Sequence, residues 1–436
     1  MTDLLDASPR SRLLPGPTAV PKTHRSGTHR TTDPAVTVAR VWAHRRTMGI
    51  TRIADVTGLD RVGVPVTMVT RPNARSLAVN QGKGLTLDAA RASGLMEAAE
   101  TFHAEHPRLP LRLSSWRHLR EELETVDCHR LPRHPYGSFD DDRMLLWASG
   151  VDLRTGAPVQ LPYELVHTHY TTLALPGAGA FLASSNGLAS GNHPLEAVLH
   201  GLYEVVERDA TVLWELSDTA QQDATAVDLR TVTDPGCRGV LDRFAEAGLV
   251  VACWEQTSDI GIAVFAVEVI DSADGMDGAP AAAGMGAHHD ATVALARALT
   301  EAAQSRLTAI AGSRDDQPPS AYAVAHDPAT LALHRAELQR VNAQATRSFA
   351  QAPHAVRDTL DEDLAQLLDA LAAAGLDHVV AVDLSRTDLG IDVVRVVVPG
   401  LEHLAFAHEE FVPGKRALAV LEATDTTAEH AAEQPR

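Results

Sequence analysis

The chain has 436 residues, with 57 acidic side chains against 38 basic ones and a formal net charge of −19. That balance argues against nucleic-acid binding, which leaves a basic footprint, and no apolar run approaches the ~20 residues of a membrane span. Its 45% hydrophobic content can bury a large core, and its three isolated cysteines, Cys128, Cys237 and Cys253, exclude a C-x-x-C metal site and fit a reducing cytoplasm.

The chain opens with MTDLLDASPRSRLLPGPTAVP, which has acidic residues and prolines where a signal peptide needs a basic and then an apolar stretch. Residues 1–20 are therefore expected as a flexible arm. KTHRSGTHR follows from Lys22, and GITRIADVTGLDRVGVPV, Gly49 to Val66, reads as strand, turn and strand. Then comes a construction that the chain uses three times, a glycine-bearing loop running into a helix with Glu-x-x-Glu or Glu-x-x-Gln. The copies are GKGLTLDAARASGLMEAAE from Gly82, ASGNHPLEAVLHGLYEVVE from Ala189 and GAHHDATVALARALTEAAQ from Gly286.

Laid over one another without gaps, the copies align Ala90 with Ala197 and Ala294, and Gly94 with Gly201 and Ala298. They align Glu97 with Glu204 and Glu301, and Glu100 with Glu207 and Gln304. Thr86, His193 and Asp290 also coincide, at the start of each helix, where capping is the expected role.

Between the second and third copies, Val250 to Trp254 and Ile262 to Ile270 read as strands, and the stretch before Gly248 ends as a helix. Residues 312–355, rich in Asp, Gln, Pro and Ala, are expected as a surface insertion or lid. A helix closing at Gly375 and strands from His378 to Leu384 and Val393 to Gly400 follow. Residues 421–436 are expected as a disordered acidic tail. The fold class is α/β: mixed sheets with packed helices, built from three similar loop–helix units around one central nucleotide site, in one domain spanning 21–420. Strand order is not legible.

The repeat carries chemistry. Residues at i and i+3 lie about 60° apart on a helix, so each Glu-x-x-Glu pair shares a face, and Glu196 falls within about 20° of Glu207. Six glutamates result: Glu97, Glu100, Glu196, Glu204, Glu207 and Glu301. Gathered carboxylates repel one another unless cations neutralise them, and an all-oxygen donor set suits Mg2+. The glycine loops precede helix N-termini, where phosphate is favoured. Lys83, Arg208 and Arg306 could then meet phosphate charge, or Lys83 could be a solvated loop lysine. Taken singly, the second helix is an ordinary amphipathic surface helix, but a solvated face has no reason to repeat Glu at matched positions.

Other residues read as structure. His288 and His289 are adjacent and point to different sides, with Asp290 placed as an N-cap. Asp209 falls within an apolar arc, as a capping or paired structural Asp. Trp116, Trp147, Trp214 and Trp254 read as core, and Glu402 as a surface glutamate after a strand.

At these same motifs the chain resembles the YcaO family of ATP-dependent peptide-modifying enzymes: QGKG with SGLMEAAE, SSNGLASGN with EAVLHGLYEVVERD, and GAHHD with LTEAAQSR. The resemblance begins near Lys22 and resumes in VVRVVVPGLEHL. It implies ATP and Mg2+ as cofactors and O-phosphorylation of a backbone amide in a ribosomal peptide. It also implies that the six glutamates hold metal and phosphate, and that Asn192, Glu196, Lys83, Arg208, Gln304 and Arg306 surround the nucleotide. Glu207, Arg208 and Arg306 would be catalytic, and one of Lys22, Arg25 and Arg30, with Lys22 preferred, would join the nucleotide site.

Family members convert the activated amide to an azoline, a thioamide or an amidine. The azoline-forming members often end in a proline-rich segment, whereas this chain ends TDTTAEHAAEQPR. GTHR, GITRIADVTGLD and RPNARS look most like members that work beside a TfuA-type partner, so thioamide formation with a sulfide donor is expected. The alternatives are azoline formation and a non-catalytic nucleotide- or peptide-binding scaffold. Expected partners are a precursor peptide and a TfuA-like or leader-binding protein, and the reading is compatible with a homodimer.

Overall fold

The β-branched runs form strands where the pattern expects them, at Leu249–Glu255, Ala263–Asp271, Val380–Asp383 and Asp392–Val397. The stretch from Gly49 is strand, 3-10 turn and strand, with strands Arg52–Asp55 and Val66–Thr70. Helices Pro235–Glu246 and Leu360–Ala373 are followed by Gly248 and Gly375, both at positive φ, a conformation glycine adopts without strain. The computed structural model describes residues 12–171, 175–272, 280–312, 327–403 and 411–432. Its architecture is α/β, as the alternation of patterns requires. Among the described residues no helix is long and apolar enough to cross a membrane.

The chain divides into two compact units. The first comprises Met1–Lys22, Ala99–Leu216 and Arg357–Arg436. Its sheet runs Arg112–Ser115, Met144–Asp152, Val380–Asp383, Asp392–Val397 and Leu188–Gly191, all antiparallel, with Pro158–Pro162 also paired to Met144–Asp152. Helix Pro194–Glu215 packs on the Asp392–Val397 and Leu188–Gly191 strands, and helix Leu360–Ala373 packs on it in turn. From Arg12 onward, the segment expected as an arm lies on this unit: Leu13 is buried, and Val20 N–H donates to Asp361 Oδ2 at 2.6 Å. The expected disordered tail is instead a helix, Lys415–Ala432, up to residue 432; its alanines, leucines and lysine favour that state.

The second unit comprises Thr23–Ala98 and Ser217–Val356. It holds two antiparallel three-stranded sheets, Arg52–Asp55/Val66–Thr70/Val79–Lys83 and Ala282–His288/Ala263–Asp271/Leu249–Glu255, and a short parallel pair, Val227–Asp228 with Arg347–Ser348. Helix Ala291–Ala311 packs against strands of both three-stranded sheets. Phe244, Phe265, Leu295 and Leu299 are among the buried side chains of its core. Of the segment expected as an insertion or lid, residues 313–326 lie outside the described residues. Helix Pro328–Gln344 buries Leu338 and Val341 and packs on Leu249–Glu255.

The three sequence copies share one local build, but not the one expected. Gly82, Lys83, Gly191, Gly284 and Gly286 lie in strands, not in phosphate-cradling loops. Their lack of a side chain lets each helix sit close on its own strand. A Cβ at Gly82 would lie 2.1 Å from Ala90 O, and one at the aligned Gly286 would lie 2.1 Å from the aligned Ala294 O. The coinciding residues Thr86, His193 and Asp290 each accept a backbone N–H at the helix start, as capping requires.

Candidate functional site

Helix Pro194–Glu215 starts where His193 accepts the Leu195 N–H and Pro194 takes the first turn. It carries Glu196, Glu204, Glu207 and Arg208, with Glu196 and Glu207 only 2% and 3% exposed. The stretch from Gly187 to Asn192 aims three carboxylates. Gly187 N–H donates to Glu204 Oε1 at 3.2 Å. Ser190 N–H and Oγ–H donate to Glu100 Oε1 at 2.9 and 2.7 Å, and Asn192 N–H and Nδ2 donate to Glu196 Oε1 at 3.1 and 2.9 Å. These donors are neutral, so they orient the carboxylates without cancelling their charge. Arg208 Nη2 lies 3.9 Å from Glu207 Oε1.

Arg395, absent from the sequence-based site, lies beneath this cluster. It is 1% exposed and donates to Asn186 O at 2.7 Å, Ser184 O at 2.8 Å and Val166 O at 3.4 Å. Burial pulls its guanidinium down to about 10, against the attraction of Tyr170, Glu204 and Glu100, so it remains charged at neutral pH. The available signal was a lone arginine inside the valine run VVRVVV.

Asp209 is a paired structural aspartate: it accepts from Arg416 Nε and Nη2, both at 3.0 Å, and from Glu402 N–H. Glu402 is not a surface residue. It is 4% exposed and accepts from Gly414 and Ala417 N–H, capping the helix that begins at Lys415. Trp116, Trp147 and Trp254 are buried and Trp214 is half-buried, as core residues should be.

In the second unit, Glu97, Glu301 and Gln304 are half-buried helical residues. Lys83, expected to meet phosphate or solvent, is ion-paired with Glu301. Arg306, 2% exposed, donates to Asp60 Oδ2 at 2.7 Å and to Asp271 Oδ2 at 3.1 Å, so its charge is already committed inside the unit. Lys22, in the first unit, forms a buried pair with Asp363 at 2.5 Å.

The donor set fits a hard cation. In the first unit Glu100, Glu196, Glu204 and Glu207 offer only oxygen, the donor type that a hard cation prefers. Thiol ligation and thiol catalysis do not enter: Cys128, Cys237 and Cys253 are buried, and burial pushes each thiol far up.

A family model described as YcaO cyclodehydratase, ATP- and Mg2+-binding, matches residues 81–402. An uncharacterized protein in the tfuA 3′ region of Rhizobium leguminosarum bv. trifolii is 37% identical over 382 residues, 86% of this chain and 88% of that protein. An uncharacterized protein of Methanothermobacter thermautotrophicus is 36% identical over 371 residues, 81% of this chain and 90% of that one. In structure, YcaO from Methanopyrus kandleri bound with AMPPCP and Mg2+ superposes with a TM-score of 0.67 at 24% identity, covering 91% of this chain and 98% of that one. A heterocyclase in complex with substrate and cofactor superposes at 0.74 and 22% identity, covering 94% of this chain but only 57% of the heterocyclase. At such identities the structures speak for the fold alone.

Proposed function

The chain belongs to the YcaO family, and on that premise we propose that it uses ATP and Mg2+ to phosphorylate a backbone amide oxygen of a ribosomally made peptide, which sulfur then replaces to give a thioamide. The observation that carries the reading is the Gly187–Asn192 stretch, which aims Glu204, Glu100 and Glu196 with neutral donors. An unreactive amide oxygen becomes a leaving group once it is phosphate, so the protein has mainly to position the partners and balance charge.

In this reading Glu100, Glu196, Glu204 and Glu207 hold Mg2+, with Glu97 and Glu301 as further carboxylates of the same chemistry. When bound, Mg2+ neutralises the phosphates and the charge that develops on them. Asn192 fixes Glu196, and Lys83 orients Glu301. Gln304 contacts nucleotide, and Arg208, 28% exposed, faces developing negative charge. Arg306 and Lys22 are assigned to the framework, because buried aspartates hold both.

The relative in the tfuA 3′ region supports sulfur over ring closure, and the proposal includes a TfuA-like partner and a sulfide donor. The description of the family as cyclodehydratases keeps azoline formation as the second reading. High-resolution mass spectrometry decides between them. The chain is incubated with ATP, Mg2+, sodium sulfide, a TfuA-like protein and peptides encoded near its gene. Exchange of oxygen for sulfur is expected; loss of water would select the azoline, and nucleotide binding without phosphate release would leave a scaffold.

A further inference from the structure

Behind the Gly187 loop, within the first unit, lies a cavity of about 40 Å3. Pro132, Leu165, Leu182, Val205, Leu401 and the run from Val396 to Val398 form its apolar wall, and Ser184, Asn186, Glu402 and His403 its polar side. It abuts the carboxylate cluster, since Asn186 and Val205 line it while Gly187 donates to Glu204. One water needs about 10–15 Å3, so the space holds roughly three water-sized groups and admits a small nucleophile.

On its polar side, Ser184 Oγ lies 2.8 Å from His403 Nε2 and accepts the Asn186 N–H at 3.2 Å. Accepting that N–H leaves the serine hydroxyl hydrogen for Nε2, and the neutral imidazole then has Nε2 as its acceptor nitrogen. Asn186 Oδ1 is buried with no hydrogen-bond partner among the described residues.

Among the described residues, the charged groups near the pair include Glu402 and Arg395 and, through Glu402 N–H and Gly187 N–H, Asp209 and Glu204. Glu402 is spent on a helix start, and Arg395 on the carbonyls of Ser184 and Asn186. Asp209 is paired with Arg416. Apolar walls beside carboxylates disfavour an anion. A nucleophile entering here does so uncharged and needs its proton removed on the spot.

We propose that this cavity receives hydrogen sulfide and that Ser184 and His403 take its proton, a step that rests on the thioamide reading above. The S–H bond breaks, its proton passing to Ser184 Oγ as the hydroxyl proton moves to His403 Nε2. Sulfur bonds to the carbon of the phosphorylated amide, and the carbon–oxygen bond then breaks to release inorganic phosphate. The proton on His403 returns to the amide nitrogen, which lost its own on phosphorylation. The second S–H proton goes to water as the C=S bond forms.

The test measures sulfur incorporation against pH with the full chain, MgATP, sodium sulfide and the peptide converted in the mass-spectrometric assay. His403→Ala is expected to lose about 100-fold in rate. It should also lose the acid limb of the unaltered protein's profile and recover in part with added imidazole, while binding MgATP as before. Ser184→Ala, which keeps the histidine, is expected to slow the same step. An unchanged acid limb with no rescue by imidazole would overturn the assignment. Failure of the unaltered chain to bind MgATP would instead remove the reading beneath it, and the assignment with it.

Discussion

Single residues divide into those that hold charge ready and those that have already spent it. Glu204 and Glu207 belong to the first group, so Glu204→Gln and Glu207→Gln are each expected to lower ATP turnover at least about 100-fold. Thermal midpoints should stay near that of the unaltered protein, since glutamine keeps the shape of glutamate and, at position 204, the oxygen that accepts the Gly187 N–H. A phosphate-release assay beside thermal melts checks both. Lys22 and Asp363 belong to the second group. Removing one partner of a buried pair strands the other, so Asp363→Asn is expected to cost about 3–5 kcal/mol, read from chemical denaturation. Buried thiols held far above neutrality predict that Cys128, Cys237 and Cys253 resist iodoacetamide in the native protein and all react once it is unfolded. Sequence spacing could group the glutamates because helical periodicity fixes which residues share a face. It could not tell Arg208 from Arg306, because only the fold brings Asp60 and Asp271 to Arg306.

At the scale of elements, the repeat was legible but its glycines were misread. A glycine before a helix fits a phosphate loop and a close-packed strand equally well, and the local sequence does not distinguish them. The packing does: the strand glycines Gly82 and Gly286 face the carbonyls of Ala90 and Ala294. Gly286→Ala is therefore expected to cost about 1–3 kcal/mol through overpacking, whereas Thr86→Ala, which removes the exposed cap of the first copy's helix, should cost about 1 kcal/mol. Denaturant midpoints of the two variants should differ in that order. Strands and helices with strong periodicity were found close to their bounds. Glu402 was misplaced because the helix it caps begins at Lys415, thirteen residues on in the chain, beyond the reach of any local pattern.

At the scale of the molecule, a net charge of −19 is compatible with binding a polyanion only if local cations offset it. The fixed carboxylates make Mg2+ the natural means, and excess chelator is expected to abolish nucleotide binding without unfolding the protein, as read by calorimetry and circular dichroism. Family membership rests on most of the chain, and its α/β class was visible from alternating patterns. The antiparallel order of the sheets was not, because strand pairing is decided by contacts distant in sequence. The central claim is that the amide oxygen leaves as phosphate. Its most direct test is to supply a substrate peptide with 18O in the amides and to weigh the inorganic phosphate released. Phosphate carrying 18O in step with product is the predicted result; unlabelled phosphate, with product still formed, would contradict it.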